Sequence, residues 1–314
     1  MAELKSTRLA FGQALLELAR EGIDLAAVAA DTSKSMEVEI LRKEYPGRCF
    51  DCGIAEQNMI MVSAGLASTG KTVFATSYSS FTSMRSLEQL RTFVCYPGLN
   101  VKVIAGLGGF SAGIEGVTHM ALEDIGIVRC IPNLTVICPA DYYATKKIIK
   151  YIGKNNMPCY VRIGRDPSSV IFDDNYNFEP GKANMLIDSG GDVGIIASGL
   201  ILSEAILAAK ELADKYGLGL KLIEMPTIKP VDYDALLKIA GTTKKLVTIE
   251  EHSIIGGLYS AVCEVLCREQ PTKVYPVAVA DKFTESGTPD ELIKKYGLAG
   301  SSIVKHIKDL FSLY

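Results

Sequence analysis

The sequence predicts an α/β protein with two consecutive domains, each built on a mainly parallel sheet. Short apolar runs that are typical of buried strands alternate with amphipathic stretches of helical periodicity. The alternation breaks once, between Gly164 and Gly191, where Asp, Asn and Pro are frequent, and then resumes. A chain of 314 residues is also long enough for two such domains. We therefore predict a first domain over residues 1–170, a linker over 171–190 and a smaller second domain over 191–314.

The elements of the first domain follow from periodicity and from residues that end helices. An amphipathic helix is predicted from Ser6 to Arg20, because Gly22 follows it and glycine is a common helix stop. Other helices are predicted over 54–68 and 81–95, from about residue 121, and up to residue 152. Strands are predicted at 25–30, 71–75, 101–106, 134–138 and 159–163.

The second domain repeats the alternation on a smaller scale. Helical stretches separate its four predicted strands, which favours a second parallel sheet with crossover helices. These strands cover 192–198, 219–224, 245–250 and 273–279.

The composition excludes several classes of function. A net charge of −3 offers no basic surface to a nucleic-acid backbone, so no nucleic-acid partner is expected. No apolar run reaches the ~18 residues that span a bilayer, and the amphipathic N-terminal helix is unlike a signal peptide. We therefore expect no membrane association and a cytoplasmic location. The eight cysteines and three histidines are too scattered for a zinc site, so we expect no metal site on this chain and reduced, mostly buried thiols.

One segment matches a nucleotide-binding motif but has the wrong context. Residues 65–72 read GLASTGKT, which fits the P-loop pattern. A P-loop requires a strand before the loop and a helix after it, so that helix amides can bind phosphate. Here Gly65 lies inside a predicted helix, and Lys71 and Thr72 open a predicted strand. We therefore interpret Gly70 as a helix stop and reject nucleotide hydrolysis.

Unusual residues follow several predicted strands at their carboxyl ends, where open α/β sheets bind ligands. Asp31 follows the strand at 25–30, and Tyr78 and Phe81 follow the strand at 71–75. A loop over 106–119 with five glycines between residues 106 and 116 follows the strand at 101–106. Arg165 follows the strand at 159–163. These residues predict a site along one edge of the first sheet.

Glu56 is a further candidate, because it lies in the first turn of a strongly apolar helix. Position alone supports two interpretations equally. Glu56 could simply stabilise the helix N-terminus through the helix dipole, by ~0.3–1 kcal/mol. Alternatively, it could be a carboxyl group in a dry pocket that exchanges a proton with a heterocycle. Tyr78 and Phe81, three residues apart, are likewise either a core aromatic pair or a ring-binding pair.

Residues 53–59, GIAEQNM, resemble the Gly-Ile-x-Glu-x-x-Met segment of transketolases. The resemblance implies a thiamine-diphosphate pyrimidine-binding domain followed by a smaller transketolase C-terminal-like domain. It also implies that Glu56 bonds N1′ of the thiamine pyrimidine, so that the coenzyme can act as its own base. Tyr78 and Phe81 match the aromatic clamp on the pyrimidine, and Asp31 is a further cofactor-binding candidate.

The likeness extends over nearly the whole chain and implies substrate contacts. Residues 115–119, EGVTH, resemble the loop that binds the sugar hydroxyls, which makes His119 a catalytic and substrate-binding candidate; Glu115 stands where Asp is usual. Arg8, Ser35 and Arg165 match positions that bind the sugar phosphate. The chain departs from the family at three places that affect these contacts: Leu107 or Gly108 in place of a histidine, Gln57-Asn58 in place of His-Ala, and Met84 in place of an aromatic residue.

The Gly-Asp-Gly…Asn motif, with which the family holds a divalent metal on the cofactor diphosphate, is missing. Its nearest approximation is Gly191-Asp192-Val193, at the head of a predicted strand. The resemblance therefore implies an N-terminal transketolase subunit that carries the diphosphate-binding domain and Mg²⁺. An α2β2 assembly that is active only as a complex is expected, with sugar phosphates as substrates.

Related functions remain as alternatives. A deoxyxylulose-phosphate synthase-like chain, or the β subunit of a 2-oxo-acid dehydrogenase, would share the cofactor, Glu56 and the fold. Residues 227–232, TIKPVD, 250–257, EEHSIIGG, and 118–124, THMALED, favour transketolase. A non-catalytic homologue is less expected, because the candidate site residues are present.

Overall fold

A computed structural model describes residues 3–311 of the chain. The first part of the chain alternates strands and helices as predicted, with two short 3₁₀ segments at Pro46–Arg48 and Phe110–Glu115 and a π-helical turn at Leu90–Cys95. Its elements are β1 (Leu4–Lys5), α1 (Thr7–Arg20), β2 (Leu25–Ala29), α2 (Glu39–Arg42), β3 (Cys49–Asp51), α3 (Glu56–Ser68), β4 (Thr72–Tyr78), α4 (Ser79–Met84), α5 (Leu87–Gln89), β5 (Val101–Gly106), α6 (Asp124–Arg129), β6 (Thr135–Ile137), α7 (Tyr142–Lys154), β7 (Cys159–Arg162) and β8 (Ser168–Ser169).

The second part contains the remaining elements. They are β9 (Asn184–Asp188), β10 (Val193–Ala197), α8 (Leu202–Tyr216), β11 (Leu220–Glu224), β12 (Thr227–Lys229), α9 (Tyr233–Thr242), β13 (Lys245–Ser253), α10 (Leu258–Glu269), β14 (Val274–Val279), α11 (Pro289–Lys295) and α12 (Gly300–Phe311).

The first sheet has seven strands in the order β12-β6-β7-β5-β4-β2-β3. All neighbours pair in parallel except β12 and β6, which are antiparallel. Strands β2 and β5 are buried along their whole length, as expected where helices cover both faces of a parallel sheet. The predicted α/β class is confirmed, and the carboxyl ends of the parallel strands form one edge of this sheet.

The second sheet has five strands in the order β14-β13-β10-β11-β9, and only β9 runs antiparallel to its neighbour. Strand β9 lies inside the stretch predicted as a linker, 171–190. Its residues are half-buried or exposed, so it lacks the apolar run from which the other strands were predicted.

Three further details differ from the sequence predictions. The helix predicted over 81–95 is divided among α4, α5 and the π-helical turn, and the helix predicted from about residue 121 begins at Asp124. The thiols are free, but they are not mostly buried: three are buried, three half-buried and two, Cys130 and Cys267, exposed. Long helix α10 places Cys267 on the outside of the second domain, a position that spacing alone does not show.

The rejection of the P-loop is confirmed. Helix α3 ends at Ser68, Gly70 follows with φ of +94°, and β4 begins at Thr72. The Lys71 ammonium pairs with Asp24 at 2.8 Å. None of the helices within residues 3–311 is long and apolar enough to cross a membrane.

Candidate active site

A cleft of about 300 Å³ lies at the carboxyl edge of the first sheet. Asp31 follows the end of β2, Tyr78 ends β4, and Glu56 opens α3. All the residues predicted to bind the cofactor therefore lie in this cleft, as expected from their positions near strand ends. His119, on the Gly-rich loop (residues 106–119), lines the same cleft. The cleft is lined by Ala30, Asp31, Thr32, Ile54, Glu56, Ser77, Tyr78, Phe81, Arg85 and His119.

The Glu56 carboxylate lies at the back of this cleft and is only 3% exposed. Arg85 Nη1 donates to both of its oxygens, at 3.2 and 3.1 Å, and Ser77 Oγ donates to Oε1 at 3.4 Å. The Arg85 side chain is 48% exposed, so the arginine side of this ion pair faces solvent. Glu56 is thus a buried carboxylate whose cationic partner is accessible from solvent.

Three rings surround the open side of the carboxylate. The centroids of Tyr78 and Phe81 are 5.9 Å apart, and the His119 ring lies edge-on to Phe81 at 5.2 Å. The Arg85 guanidinium lies 3.9 Å from the centroid of Phe81. A carboxylate next to aromatic faces can hold a flat, nitrogen-containing ring through one hydrogen bond and stacking.

A second group of predicted residues lies beside the cleft. Arg8 Nε donates to the Arg165 carbonyl at 2.8 Å, and Arg8 Nη1 donates to the Ser35 carbonyl at 2.6 Å. The Tyr78 hydroxyl donates to Ser35 Oγ at 3.2 Å and so connects this group to the cleft. Arg165 forms an ion pair with Glu115. The structure therefore places Glu115 with the arginines, outside the cleft lining.

The two arginines are close enough to affect each other. Burial lowers the pKa of Arg8 from its usual range, and the positive charge of Arg165 lowers it further. The Glu115 carboxylate offsets part of the Arg165 charge. The positive charge that remains is partly removed from water and favours an anionic ligand, and guanidinium groups match the oxygens of a tetrahedral anion.

Two residues of the site were missed by the sequence analysis. Arg85 lies four residues after Phe81, a spacing that places the two side chains on one helix face. Asp51 ends β3, so the strand-end rule could have found it. Its carboxylate accepts from the backbone N–H groups of Asp31 at 2.9 Å and Gly53 at 3.0 Å, and from Ser33 Oγ at 2.7 Å.

Asp51 thereby fixes two loops that border the cleft. Burial raises the pKa of Asp51, but the hydrogen bonds from Ser33, Asp31 and Gly53 outweigh it and lower the pKa overall. Asp31 has φ of +57°, an uncommon backbone conformation for a residue other than glycine, and its side chain is exposed. The described part of the chain contains no group of three or more His, Cys, Asp or Glu side chains that could hold a metal ion.

Comparisons with known proteins give a consistent result. Residues 4–168 match the transketolase pyrimidine-binding domain family, and residues 181–303 match the transketolase C-terminal domain family. A protein of Methanocaldococcus jannaschii, named as a proposed transketolase C-terminal section, is 43% identical over 308 residues, which are 97% of this chain and 96% of that protein. A Clostridium protein named as a 6-deoxy-6-sulfo-D-fructose transketolase subunit is 40% identical and covers 93% of this chain and 90% of its own length.

A solved structure described as a split gene transketolase, an inactive β4 tetramer, has a TM-score of 0.90 to this chain. It is 40% identical and covers 98% of this chain and 99% of its own length.

Proposed function

The chain belongs to the transketolase family, and on that premise we propose that it is the C-terminal subunit of a two-chain transketolase. It transfers a two-carbon ketol unit from a ketose phosphate to an aldose phosphate, with thiamine diphosphate as the cofactor. The observation that carries this proposal is the buried Glu56 carboxylate beside Tyr78 and Phe81, at the carboxyl edge of the sheet.

The residues present fit the pyrimidine ring of thiamine diphosphate. Glu56 would bond a ring nitrogen, while Tyr78 and Phe81 would pack on the ring faces. When bound, the cofactor supplies a stabilised carbanion equivalent for carbon–carbon bond cleavage and formation. Glu56 holds or releases a proton at the ring nitrogen, and the buried position keeps water from competing for that bond.

The diphosphate and Mg²⁺ are assigned to a separate N-terminal subunit in this proposal. Support comes from the absence of a metal-binding group among the described residues and from relatives named as sections or subunits of transketolase. The α2β2 assembly is proposed on the same basis. The similar structure described as an inactive β4 tetramer agrees with a chain that lacks activity without its partner.

The substrate tail is proposed to be a tetrahedral anion bound by Arg8 and Arg165 beside Ser35. Phosphate is the anion we propose. Because one relative is named for a 6-sulfo sugar, the substrate test also includes sulfonated sugars. We propose that His119 and Glu115 contact the sugar hydroxyls. The position of His119 in the cleft and of Glu115 beside the arginines supports this.

The direct test is reconstitution with an N-terminal subunit, thiamine diphosphate and Mg²⁺. We expect no ketol transfer from this chain alone and turnover from the mixture. Tight, Mg²⁺-dependent binding of thiamine diphosphate by the isolated chain would contradict the two-chain arrangement.

Within the reconstituted enzyme, Glu56→Gln should lower kcat by ~10²–10⁴-fold, the usual contribution of an acid–base group. The variant keeps the side-chain volume, so circular dichroism should show an unchanged fold. Glu88→Gln is the matched control, because Glu88 is exposed and bonds only its neighbour Gln89 among the contacts described. Near-normal turnover of Glu56→Gln would remove Glu56 from the mechanism.

A further inference from the structure

The Gly-rich loop (residues 106–119) belongs to the first domain, but its shape depends on contacts with the second. It leaves β5 at Gly106, forms the 3₁₀ segment Phe110–Glu115 and ends at His119. The cleft itself is lined only by residues of the first domain. The second domain therefore touches the loop that carries Glu115 and His119 without touching the cleft.

Glu251, near the end of β13, makes the first of these contacts. Its side chain is buried, and one carboxylate oxygen accepts a hydrogen bond from the Phe110 backbone N–H. Gly109 has φ of +64°, and a Cβ there would lie 2.5 Å from the Glu251 carboxyl carbon. Only glycine fits this position, because the left-handed backbone and the close carboxylate both exclude a side chain.

The connection before α11 makes a second contact. The Gly287 N–H donates to the Gly113 carbonyl at 3.0 Å. A Cβ on Gly113 would collide with the Gly287 carbonyl oxygen. Gly116 has φ of +77°, and a Cβ there would lie 2.5 Å from Ser286 Oγ, so three of the five glycines in this loop lie directly against the second domain.

Arg162, at the end of β7, joins the segment just after the loop to β13. Its Nη2 donates to the Ala121 carbonyl at 2.6 Å and to the Glu251 carbonyl at 2.9 Å. The side chain is only 10% exposed and pairs with Asp124 at 3.2 Å. The loop is thus held between a buried cation of the first domain and a buried carboxylate of the second.

We propose that the second domain acts as a positioning element for the substrate loop, with Glu251 as its principal positioning residue. The substrate part of this inference rests on the proposed function. Without Glu251, the Phe110 N–H would be buried and unpaired, and a loop with five glycines would gain many accessible conformations. Glu115 and His119 would then be held less well for sugar binding. The cofactor-binding candidates Asp31, Glu56, Tyr78 and Phe81 lie outside the loop and would keep their positions, so His119 is the one residue of the cleft lining that would shift.

The experiment compares Glu251→Ala, Glu251→Gln and Glu250→Ala in the full chain. Glu250 is the matched control, because it is an adjacent buried carboxylate whose bonds go to the Leu258 and Tyr259 N–H groups inside the second domain. Hydrogen exchange is measured on the chain alone, and KM, kcat and the thiamine diphosphate Kd on the two-chain enzyme.

We expect Glu251→Ala to speed amide exchange within residues 106–119 by about 10-fold or more. Its KM for the sugar substrates should rise by about 10- to 100-fold, the effect of one lost hydrogen bond to a charged acceptor. The cofactor Kd should change much less than KM, because His119 is the one residue of the cleft lining that the loop carries. Glu251→Gln keeps an acceptor oxygen and should restore most of the KM, while Glu250→Ala should leave loop exchange and KM near wild type.

Unchanged loop exchange in Glu251→Ala, or equal KM effects of Glu251→Ala and Glu250→Ala, would overturn the proposal. If the proposed function is wrong, the wild-type chain with its partner would show no ketol transfer. Comparing amide exchange of the loop in Glu251→Ala and wild type would still decide whether Glu251 holds the loop.

Discussion

At the scale of single residues, the pairing of Glu56 with Arg85 has a consequence for cofactor binding. The guanidinium is planar, donates to the Glu56 carboxylate and lies over the Phe81 ring. These are the same two contacts that we propose for the pyrimidine ring, which is also flat and nitrogen-rich. If Glu56 and Phe81 bind the cofactor as proposed, Arg85 competes with it for both contacts and has to move when it binds.

Replacing Arg85 with Met removes this competitor but keeps much of the apolar stem. We expect the thiamine diphosphate Kd of the two-chain enzyme to fall about 5-fold, because a half-exposed ion pair is worth ~1 kcal/mol. Isothermal titration calorimetry measures this directly. Arg48→Met is the control, since Arg48 also stacks on a ring, that of Tyr45, away from the cleft. Weaker binding by Arg85→Met would show that Arg85 helps to hold the bound cofactor.

The paired arginines lead to a prediction about substrate class. Arg8→Ala and Arg165→Ala should each lower kcat/KM for phosphorylated substrates by ~10- to 150-fold, the effect of losing ~1.5–3 kcal/mol from one charge-assisted contact. The loss should nearly vanish for substrates without a charged tail, such as hydroxypyruvate with glycolaldehyde. Sulfonated sugars form the third arm and separate a general anion site from a phosphate site.

Arg20→Ala is the control for these variants, because Arg20 lies on the same helix α1 and pairs with Glu44 at the surface. Equal losses on charged and uncharged substrates would mean that Arg8 and Arg165 stabilise the fold and do not bind the tail.

At the scale of elements, the order of helix and strand decides what the GLASTGKT segment can do. In the structure this segment ends a helix and starts a strand, so its backbone N–H groups do not form a phosphate cradle. Lys71→Ala should leave ketol transfer and cofactor affinity unchanged. It should cost at most ~1 kcal/mol of unfolding free energy, since the Lys71–Asp24 pair is exposed. A loss of activity that exceeds the loss of stability would contradict this interpretation.

The elements also show which features a sequence pattern can reveal. Apolar runs such as Val101–Gly106 are buried on both faces, so the bounds of their strands could be predicted within about three residues. Strand β12 could not be predicted in its place, because it leaves the second domain to pair with β6 of the first sheet. That pairing depends on tertiary contacts, and periodicity along the chain gives no information about them.

In the candidate site, too, some features could be predicted from the sequence and others depend on tertiary contacts. Glu56, Tyr78 and Phe81 could be placed at one edge because strand ends in a parallel sheet meet there. The pairing of Glu56 with Arg85, and that of Glu115 with Arg165, depend on side-chain directions across elements. Residue spacing indicated most members of the site, but it missed Arg85 and Asp51 and did not show which side chains pair with each other.

At the scale of the whole molecule, buried polar groups join the two domains. Asp141 caps α7 of the first domain by accepting a hydrogen bond from the Ala144 N–H. It also accepts from the N–H groups of Ile171 and Phe172, in the connection between the two domains. Further along that connection, the Tyr176 hydroxyl bonds Glu224, which ends β11 of the second sheet. The segment between the domains is therefore fixed at both ends by buried carboxylates.

Glu224 makes the stability of this junction between the two domains depend on pH. Burial raises its pKa to about 7, although hydrogen bonds from Asn184 and Tyr176 oppose the shift; the nearby Asp141 charge adds to it. Between pH ~4.5 and 7 the folded state keeps a proton that the unfolded state releases, so the unfolding free energy falls as pH rises. The stabilisation is complete below the unfolded pKa and is lost as pH passes through about 7.

Glu224→Gln should remove this dependence, because glutamine keeps an acceptor for Tyr176 and cannot ionise. Relative to wild type, the variant should gain ~2–3 kcal/mol of unfolding free energy between pH 5 and pH 8. This is the part of the effect of a pKa difference of about 2.5 that falls within this pH range. Urea denaturation of both proteins at a series of pH values measures this, with Glu88→Gln as an exposed control. A constant difference between Glu224→Gln and wild type from pH 5 to pH 8 would show that Glu224 carries the same charge in the folded and unfolded states, and that the junction does not respond to pH through this carboxyl group.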